Sequence, residues 1–486
     1  MILFSKLASF HSIFHHEILM TFYKQINDNI LHNDLLTQTE IPPYREDEVQ
    51  ENAKRSDKII ADEINIEIKE QLSLFIHEGA SKIPSIIQTI IEMLETYPEV
   101  VKMNIHPDHL KKASSLIPTS LTCLPCLTFI NKILSLFPDF LSYNEFIEIS
   151  QDLFDSLSSL LQQSQNQSEL LELSKNIIVQ IIININYRDL FNQSKSMQSI
   201  TTIIKSVIGN TEEDINLDLL FTSLEIFLHL TKFCPFPDNF THFIYPLINI
   251  SSYFDDKYSI VSMNCLSFLV CQFDVLPFIQ NYENCETTFL EDLSSFLLVS
   301  QPVQKRIAAF KLLSAFSIYG DVIFSEMNKY HVLFEAKKSL SDKNDEIIAE
   351  ALKFFSSWFK NAQVCRTKLF DQICGFDLAS ICQSSSYSIK VALIDLIFTL
   401  TDNAITSQLI KLINPAFLDF VVDSFDEFNL DLSLSMIRIL LCIINKCSMD
   451  TNFILMMKNA LIEVNYQNTA FQDQFEEIIA LINRIV

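Results

Sequence analysis

The sequence predicts an all-α solenoid of about ten helical repeats, and three observations carry that prediction. The chain has 486 residues, more than one compact core accommodates, so it must be several domains or an array whose core grows lengthwise. It holds only four glycines, Gly79, Gly209, Gly320 and Gly375, and these are too few and too scattered for the hairpin turns of a β-rich fold. The third observation is an apolar stripe at helical spacing that recurs about every forty residues.

The stripe is clearest in Arg366–Leu400, RTKLFDQICGFDLASICQSSSYSIKVALIDLIFTL, which reads as helix, glycine break, helix, polar turn, helix. In its last helix Ile389, Leu393, Leu396 and Ile397 stand at i, i+4, i+7 and i+8, on one side of the helix. The same pattern starts at Ile86, Cys126, Leu170, Leu220, Val261, Val303, Ile347, Leu432 and Phe471, in steps of 39 to 50 residues. Ser174 and Lys311 interrupt it in their own units, and the 50-residue step after Leu170 predicts an insertion near Asn184 to Gly209. A chain this rich in Ile, Leu and Phe matches a loose template in many places, so the near-constant spacing is the evidence. Four apolar side chains left in water forfeit roughly 6 to 12 kcal/mol, about the stability of a whole domain, so each unit needs neighbours on both sides. Between the starts there is room for one or two more helices, as in DVIFSEMNKYHVLFEAKKSL and QLIKLINPAFLDFVVDSF, with Asn414–Pro415 expected to supply a break.

Residues 1–36 read as one or two amphipathic helices with Phe4, Leu7, Phe10 and Phe14 on a shared side, expected to cover an end of the array. A membrane-surface helix is the alternative, but its polar face would carry Lys and Arg, whereas this one carries Ser, His and Glu. Residues 37–62, with Pro42–Pro43 and dense charge, are expected to be a linker or arm. The arm holds the basic cluster Lys54, Arg55 and Lys58, preceded by Arg45, and the repeat array is assigned to 63–486.

The balance of 35 basic and 60 acidic residues gives a net charge of −25. Such a surface repels phosphate backbones and anionic lipid, so nucleic acid and membranes are not expected partners. A basic peptide or protein surface is the easier partner, with solubility alone as the alternative reading of the acidity. Isolated glycines cannot write a phosphate-cradling loop, a dinucleotide fingerprint or a nucleophile elbow. The eleven cysteines lie mostly in apolar runs such as CLSFLVC and LLCIINKC, as reduced thiols of a reducing compartment do. The longest uncharged stretch, Ala113–Asn131, contains Pro118 and Pro125 and is a poor membrane span. MILFSKLASFHSIFHHEILMTFYKQ lacks the apolar run of a secretory signal, so cytoplasm or nucleus is the expected location.

Candidate chemistry is sparse. Cys123-Leu-Pro-Cys126 is a CxxC, but it has no second pair and Cys126 serves a stripe, so buried structural cysteines are expected. His106-Pro-Asp-His109 offers two imidazoles, yet Pro107 and Asp108 read as a helix start. His11, His15 and His16 have no acid or thiol at ligand spacing, and His77-Glu78 lacks the second histidine of a HExxH site. No catalytic residue, metal or cofactor is expected, and the protein is not expected to be an enzyme.

Helix triplets repeating every forty-odd residues resemble the armadillo family, with HEAT repeats as the nearest neighbour. The likeness covers most of the chain from residue 63 and is closest at Arg366–Leu400, where Gly375 stands where armadillo repeats bend. It implies a right-handed armadillo-like solenoid that binds other proteins along its concave face, as an adaptor or scaffold. A charged arm followed by about ten repeats most resembles importin α. YREDEVQENAKRSDK is similar to the later part of its importin-β-binding segment, with Arg45, Lys54, Arg55 and Lys58 at the basic places. That implies importin β as a partner and a role in nuclear import. Two features depart from the pattern: TQTEIPP replaces the denser arginine cluster, and the single tryptophan, Trp358, falls at a core-facing place, so no Trp/Asn ladder exists. Basic peptides would then depend on acids at i+3 and i+6 of the stripe helices, Glu92, Glu350 and Asp395, places also held by Lys353, Ser223 and Arg438. The alternative function is a regulatory subunit or co-chaperone acting on a partner enzyme.

Overall fold

Each of the ten sequence stripes lies on an α-helix in the computed structural model of the chain, save that Phe471 stands one residue ahead of the last helix. The structure describes residues 46–143, 145–163, 168–208, 215–233, 238–280, 282, 288–364, 366, 369–370, 381–382, 386–403, 406, 408–409, 415–425, 430–447, 451–467 and 469–485. No strand occurs among the described residues, and none of their helices is long and apolar enough to cross a membrane. The expected terminal helices 1–36, and Gly375, lie outside them.

In chain order the helices are α1 (Glu46–His77), α2 (Ile83–Thr96), α3 (Pro98–Asn104), α4 (Pro107–Leu116), α5 (Cys123–Leu136), α6 (Glu145–Gln163), α7 (Ser168–Ile183) and α8 (Arg188–Gln193). There follow α9 (Lys195–Lys205), α10 (Leu217–Phe233), α11 (Ile244–Tyr253), α12 (Asp256–Val270), α13 (Leu276–Gln280), α14 (Phe289–Phe296), α15 (Val303–Ala315), α16 (Asp321–Lys329) and α17 (Val332–Ser339). The last six are α18 (Asp345–Asn361), α19 (Tyr387–Asn403), α20 (Pro415–Asp423), α21 (Leu430–Cys447), α22 (Thr451–Leu461) and α23 (Gln472–Ile485).

The stripes explain how the helices pack. Helices α2, α5, α7, α10, α12, α15, α18, α19, α21 and α23 carry them, and each of these helices packs on the next, forming one continuous ladder. Their i+4 position is buried in all ten, at Ile90, Ile130, Ser174, Leu224, Cys265, Ile307, Ala351, Leu393, Met436 and Phe475. Ser174 is tolerated there because its hydroxyl donates to the Leu170 carbonyl at 2.7 Å. Lys311, at the edge of its stripe, turns to solvent. A second ladder runs α4, α6, α9, α11, α14, α17, and each of its members also packs on the stripe helix that follows it. Farther along, α20 packs on α22, and α22 packs on α23. Both layers belong to the compact unit Ile68–Val486. The other unit, Met1–Glu67, is described only from Glu46, where it is helical.

The charged stretch 37–62 is therefore helical from Glu46, and α1 continues through residue 62 without interruption. The reason is local: no glycine or proline stands between Pro43 and Gly79, and Glu, Gln, Lys and Arg favour helices as much as they favour solvated linkers. Extra length after Leu170 falls slightly later than expected, between Lys205 and Leu217.

Corners are closed by side chains that satisfy the orphaned last carbonyls of the first-ladder helices. Arg188 donates to the carbonyls of Ile182 at 2.9 Å and Ile183 at 2.8 Å. Arg366 donates in the same way to Phe359 at 3.1 Å and Lys360 at 3.3 Å. Lys446 reaches from the neighbouring helix to Thr401 at 2.6 Å and Asp402 at 2.7 Å. Gly320 has φ +53°, and a Cβ on it would stand 3.0 Å from the Asn361 carbonyl oxygen, so this corner requires glycine.

Arg306 pins three segments together. Its guanidinium donates to the Leu297 carbonyl at 3.1 Å and to Ser339 Oγ at 3.2 Å, and it pairs with Asp342 at 2.7 Å. Burial pushes the Asp342 carboxyl up, but the Asn344 N–H and the guanidinium together outweigh it and hold the pKa below its ordinary value.

Candidate protein-binding surface

The first ladder presents one face of stacked helices, and the residues at its seams decide what that face offers. Polar groups there pair with one another across neighbouring helices. Glu95 meets Lys132 at 2.7 Å, Gln180 donates to Asn131 at 3.0 Å, and Gln272 donates to the Thr231 carbonyl at 3.1 Å. Lys175 stands between Glu172 at 2.6 Å and Glu225 at 2.8 Å. Burial lowers its pKa, but the two carboxylates more than compensate and raise it above the ordinary lysine value. Several polar groups on the N-terminal half of this face are therefore already paired within the chain.

The sequence-derived acids stand on this ladder but are not brought together. Glu92 is exposed on α2 and accepts from Gln88 at 2.9 Å. Glu350 on α18 is paired with Lys353 at 2.8 Å. Asp395 on α19 accepts from Ser356 Oγ at 2.6 Å, tying α18 to α19. Of the basic set, Lys54, Arg55 and Lys58 fall on α1, and Arg45 lies outside the described residues.

Farther along the ladder a different surface emerges that the search for acids missed. At i+2 and i+9 of the stripe, the packed helices α19 and α21 carry Val391, Phe398, Leu434 and Leu441. Phe398 is 41 % exposed and the other three are half-buried. Asp395 and Arg438, both exposed, occupy the i+6 places between them. Reading i+2 and i+9 across the stripe helices would have found this strip.

The remaining candidates are structural. Trp358 is fully buried. Cys123 and Cys126 are free and buried; burial raises both thiols, Cys126 to about 12, which leaves them protonated and unreactive. His106 and His109 cap α4, the His106 N–H donating to His109 Nδ1 at 2.9 Å. Among the described residues no group of three or more His, Cys, Asp or Glu could hold a metal ion. A cleft of about 850 Å³ opens beside this corner, lined among others by Met103, Asp108, Asp139, Tyr143 and Glu148. His11, His15 and His16 lie outside the described residues.

No protein-family model matches the chain, and no curated protein does. Among solved structures, an engineered protein from the Northeast Structural Genomics Consortium is similar over 86 % of this chain and 98 % of its own, with a TM-score of 0.59 at 10 % identity. A designed armadillo repeat protein in complex with the peptide (KR)4 aligns over 51 % of this chain and 99 % of its own, with a TM-score of 0.41 at 11 % identity. With its two helical ladders, the chain has an all-α solenoid fold built of stacked helical repeats.

Proposed function

We propose that the protein is a non-enzymatic scaffold or adaptor that binds another protein along the exposed face of the first ladder. The observation that carries this reading is the apolar strip Val391, Phe398, Leu434 and Leu441 with Asp395 and Arg438 between its members. An accessible apolar centre with charged neighbours is the composition of a protein-binding surface. The test is co-purification of bound proteins with the intact chain and with a Phe398→Asp/Leu441→Asp variant that keeps its helical content. Loss of the same partners from the variant supports the strip, and equal recovery sinks it.

The more specific form is an importin-α-like transport adaptor, cytoplasmic and nuclear, with Arg45, Lys54, Arg55 and Lys58 engaging importin β and Glu92, Glu350 and Asp395 engaging basic peptides. The general form is better supported, since Glu350 and Asp395 already hold internal partners. A pull-down separates them: failure of the intact chain to recover importin β eliminates the transport form. Stimulation of a partner ATPase, with no response to basic peptides, would favour a regulatory subunit instead.

A further inference from the structure

The corners that follow the first three stripe helices leave large apolar side chains in water. Met103, at the end of α3, is 70 % exposed, Tyr143 after α5 is 50 % exposed, and Ile185 after α7 is 68 % exposed. Met103 and Tyr143 border the cleft of about 850 Å³, which the buried Ile105, Phe140 and Ile149 also line. The Tyr187 hydroxyl and the Asn184 amide both donate to the Leu141 carbonyl, at 2.7 and 3.4 Å. Those bonds set Ile185 and the half-exposed Ile183 beside the segment Leu141–Tyr143. The result is one apolar edge across three repeats, built from none of the residues of the strip on α19 and α21. Exposed apolar side chains clustered in this way mark a surface that another chain covers.

Charge selects the kind of chain. Glu99 stands four residues before Met103, Asp189 four residues after Ile185, and Asp108, Glu145 and Glu148 line the cleft. All five are exposed, and none is in an ion pair among the described residues. The basic groups nearby are largely engaged: Lys102 holds Asp139 at 3.2 Å, and Arg188 holds the carbonyls of Ile182 and Ile183. Lys111 is the opposing charge on the cleft. Successive corners lie about 10 Å apart, as packed helices do, and seven residues of an α-helix span about 10.5 Å. We propose that this edge docks an amphipathic helix of a partner protein, with apolar residues at i, i+7 and i+14 and Lys or Arg beside them. Its apolar side chains cover Met103, Tyr143 and Ile185, and its basic ones meet the carboxylates that this chain leaves unmatched. The edge and the strip share no residue, so failure of one leaves the other standing.

The experiment titrates the full chain into a fluorescent synthetic helix of Leu and Lys, with Leu at i, i+7 and i+14, and into its Leu/Glu counterpart, and reads anisotropy. Saturable binding of the Leu/Lys helix alone is expected. Met103→Ser/Ile185→Ser, two exposed changes whose retained helical content circular dichroism verifies, should weaken it by about tenfold or more. Glu145→Gln/Glu148→Gln should weaken it too and reduce its salt dependence. Asp473→Asn/Glu477→Asn, exposed acids on α23, should change nothing, which separates the edge from general attraction to a chain of net charge −25. Equal affinity for the parent and the Met103/Ile185 variant, or equal binding of the Leu/Glu helix, overturns the proposal. A parent chain that sediments as a dimer, and as a monomer once Met103 and Ile185 are replaced, assigns the edge to a second copy and overturns it as well.

Discussion

The indole N–H of Trp358 donates to the backbone carbonyl of Leu313 at 2.9 Å, joining α18 to the last turn of α15. The ring also packs on Phe324 and Phe354, with centroids 6.1 and 6.2 Å away. Replacing it with Phe leaves both a void and an unsatisfied carbonyl, a loss of about 2 to 4 kcal/mol. Denaturant unfolding followed by circular dichroism should show the midpoint fall. An unchanged midpoint would mean that the indole bond contributes nothing.

Removing the Arg306 guanidinium leaves Asp342, whose side chain is 9 % exposed, without its counter-charge and with only backbone N–H donors. Arg306→Ala is expected to destabilise by about 3 to 5 kcal/mol, whereas an apolar pair such as Arg306→Met with Asp342→Leu recovers much of the loss. Thermal melts of the three chains give the comparison, and a double variant as weak as the single one contradicts it.

The same pair sets an acid limit. The folded Asp342 pKa lies below its ordinary 3.8, so its contribution is fully present above that value. It is lost as pH falls through the lowered folded pKa. The stability difference between the parent and Asp342→Asn should therefore be constant at neutral pH and shrink below about pH 4. A difference that persists unchanged at pH 2 would place the stabilisation elsewhere.

Two tyrosines make the same clip. Tyr187 donates to the Leu141 carbonyl at 2.7 Å, and Tyr319 donates to Phe273 at 3.3 Å while accepting the Val275 N–H at 2.7 Å. Changing either to Phe should cost about 0.5 to 1.5 kcal/mol. The two losses should add, because the sites share no partner; marked non-additivity in the double variant would refute their independence.

Cys126 should resist alkylation by iodoacetamide at neutral pH until the chain is unfolded, since burial raises its thiol to about 12. Mass spectrometry locates the adduct, and rapid labelling of the native protein at Cys126 would contradict a packed structural role.

How much of this was readable in the residues depends on the range of the force involved. The stripes were readable because burial follows helical period; even Ser174, an apparent break, occupies a buried i+4 place. The onset of α1 at Glu46 was not, because charged residues without glycine serve arm and helix equally. Arg306 stands at i+3, a place where sequence suggests solvent, and only the arrival of Leu297, Ser339 and Asp342 makes it internal. Glu350 and Asp395 were legible as surface acids, but their capture by Lys353 and Ser356 depends on rotamers and on helix juxtaposition.

The farthest-reaching polar contact described above, Lys175 to Glu225, spans 50 residues, and the clips of Tyr187 and Tyr319 each reach 46. Each repeat is thus fastened to its neighbour and to nothing more distant by these bonds. A load applied at one end is shared out one junction at a time, as along the coils of a spring, so a docked partner can strain the array locally while distant repeats keep their own geometry.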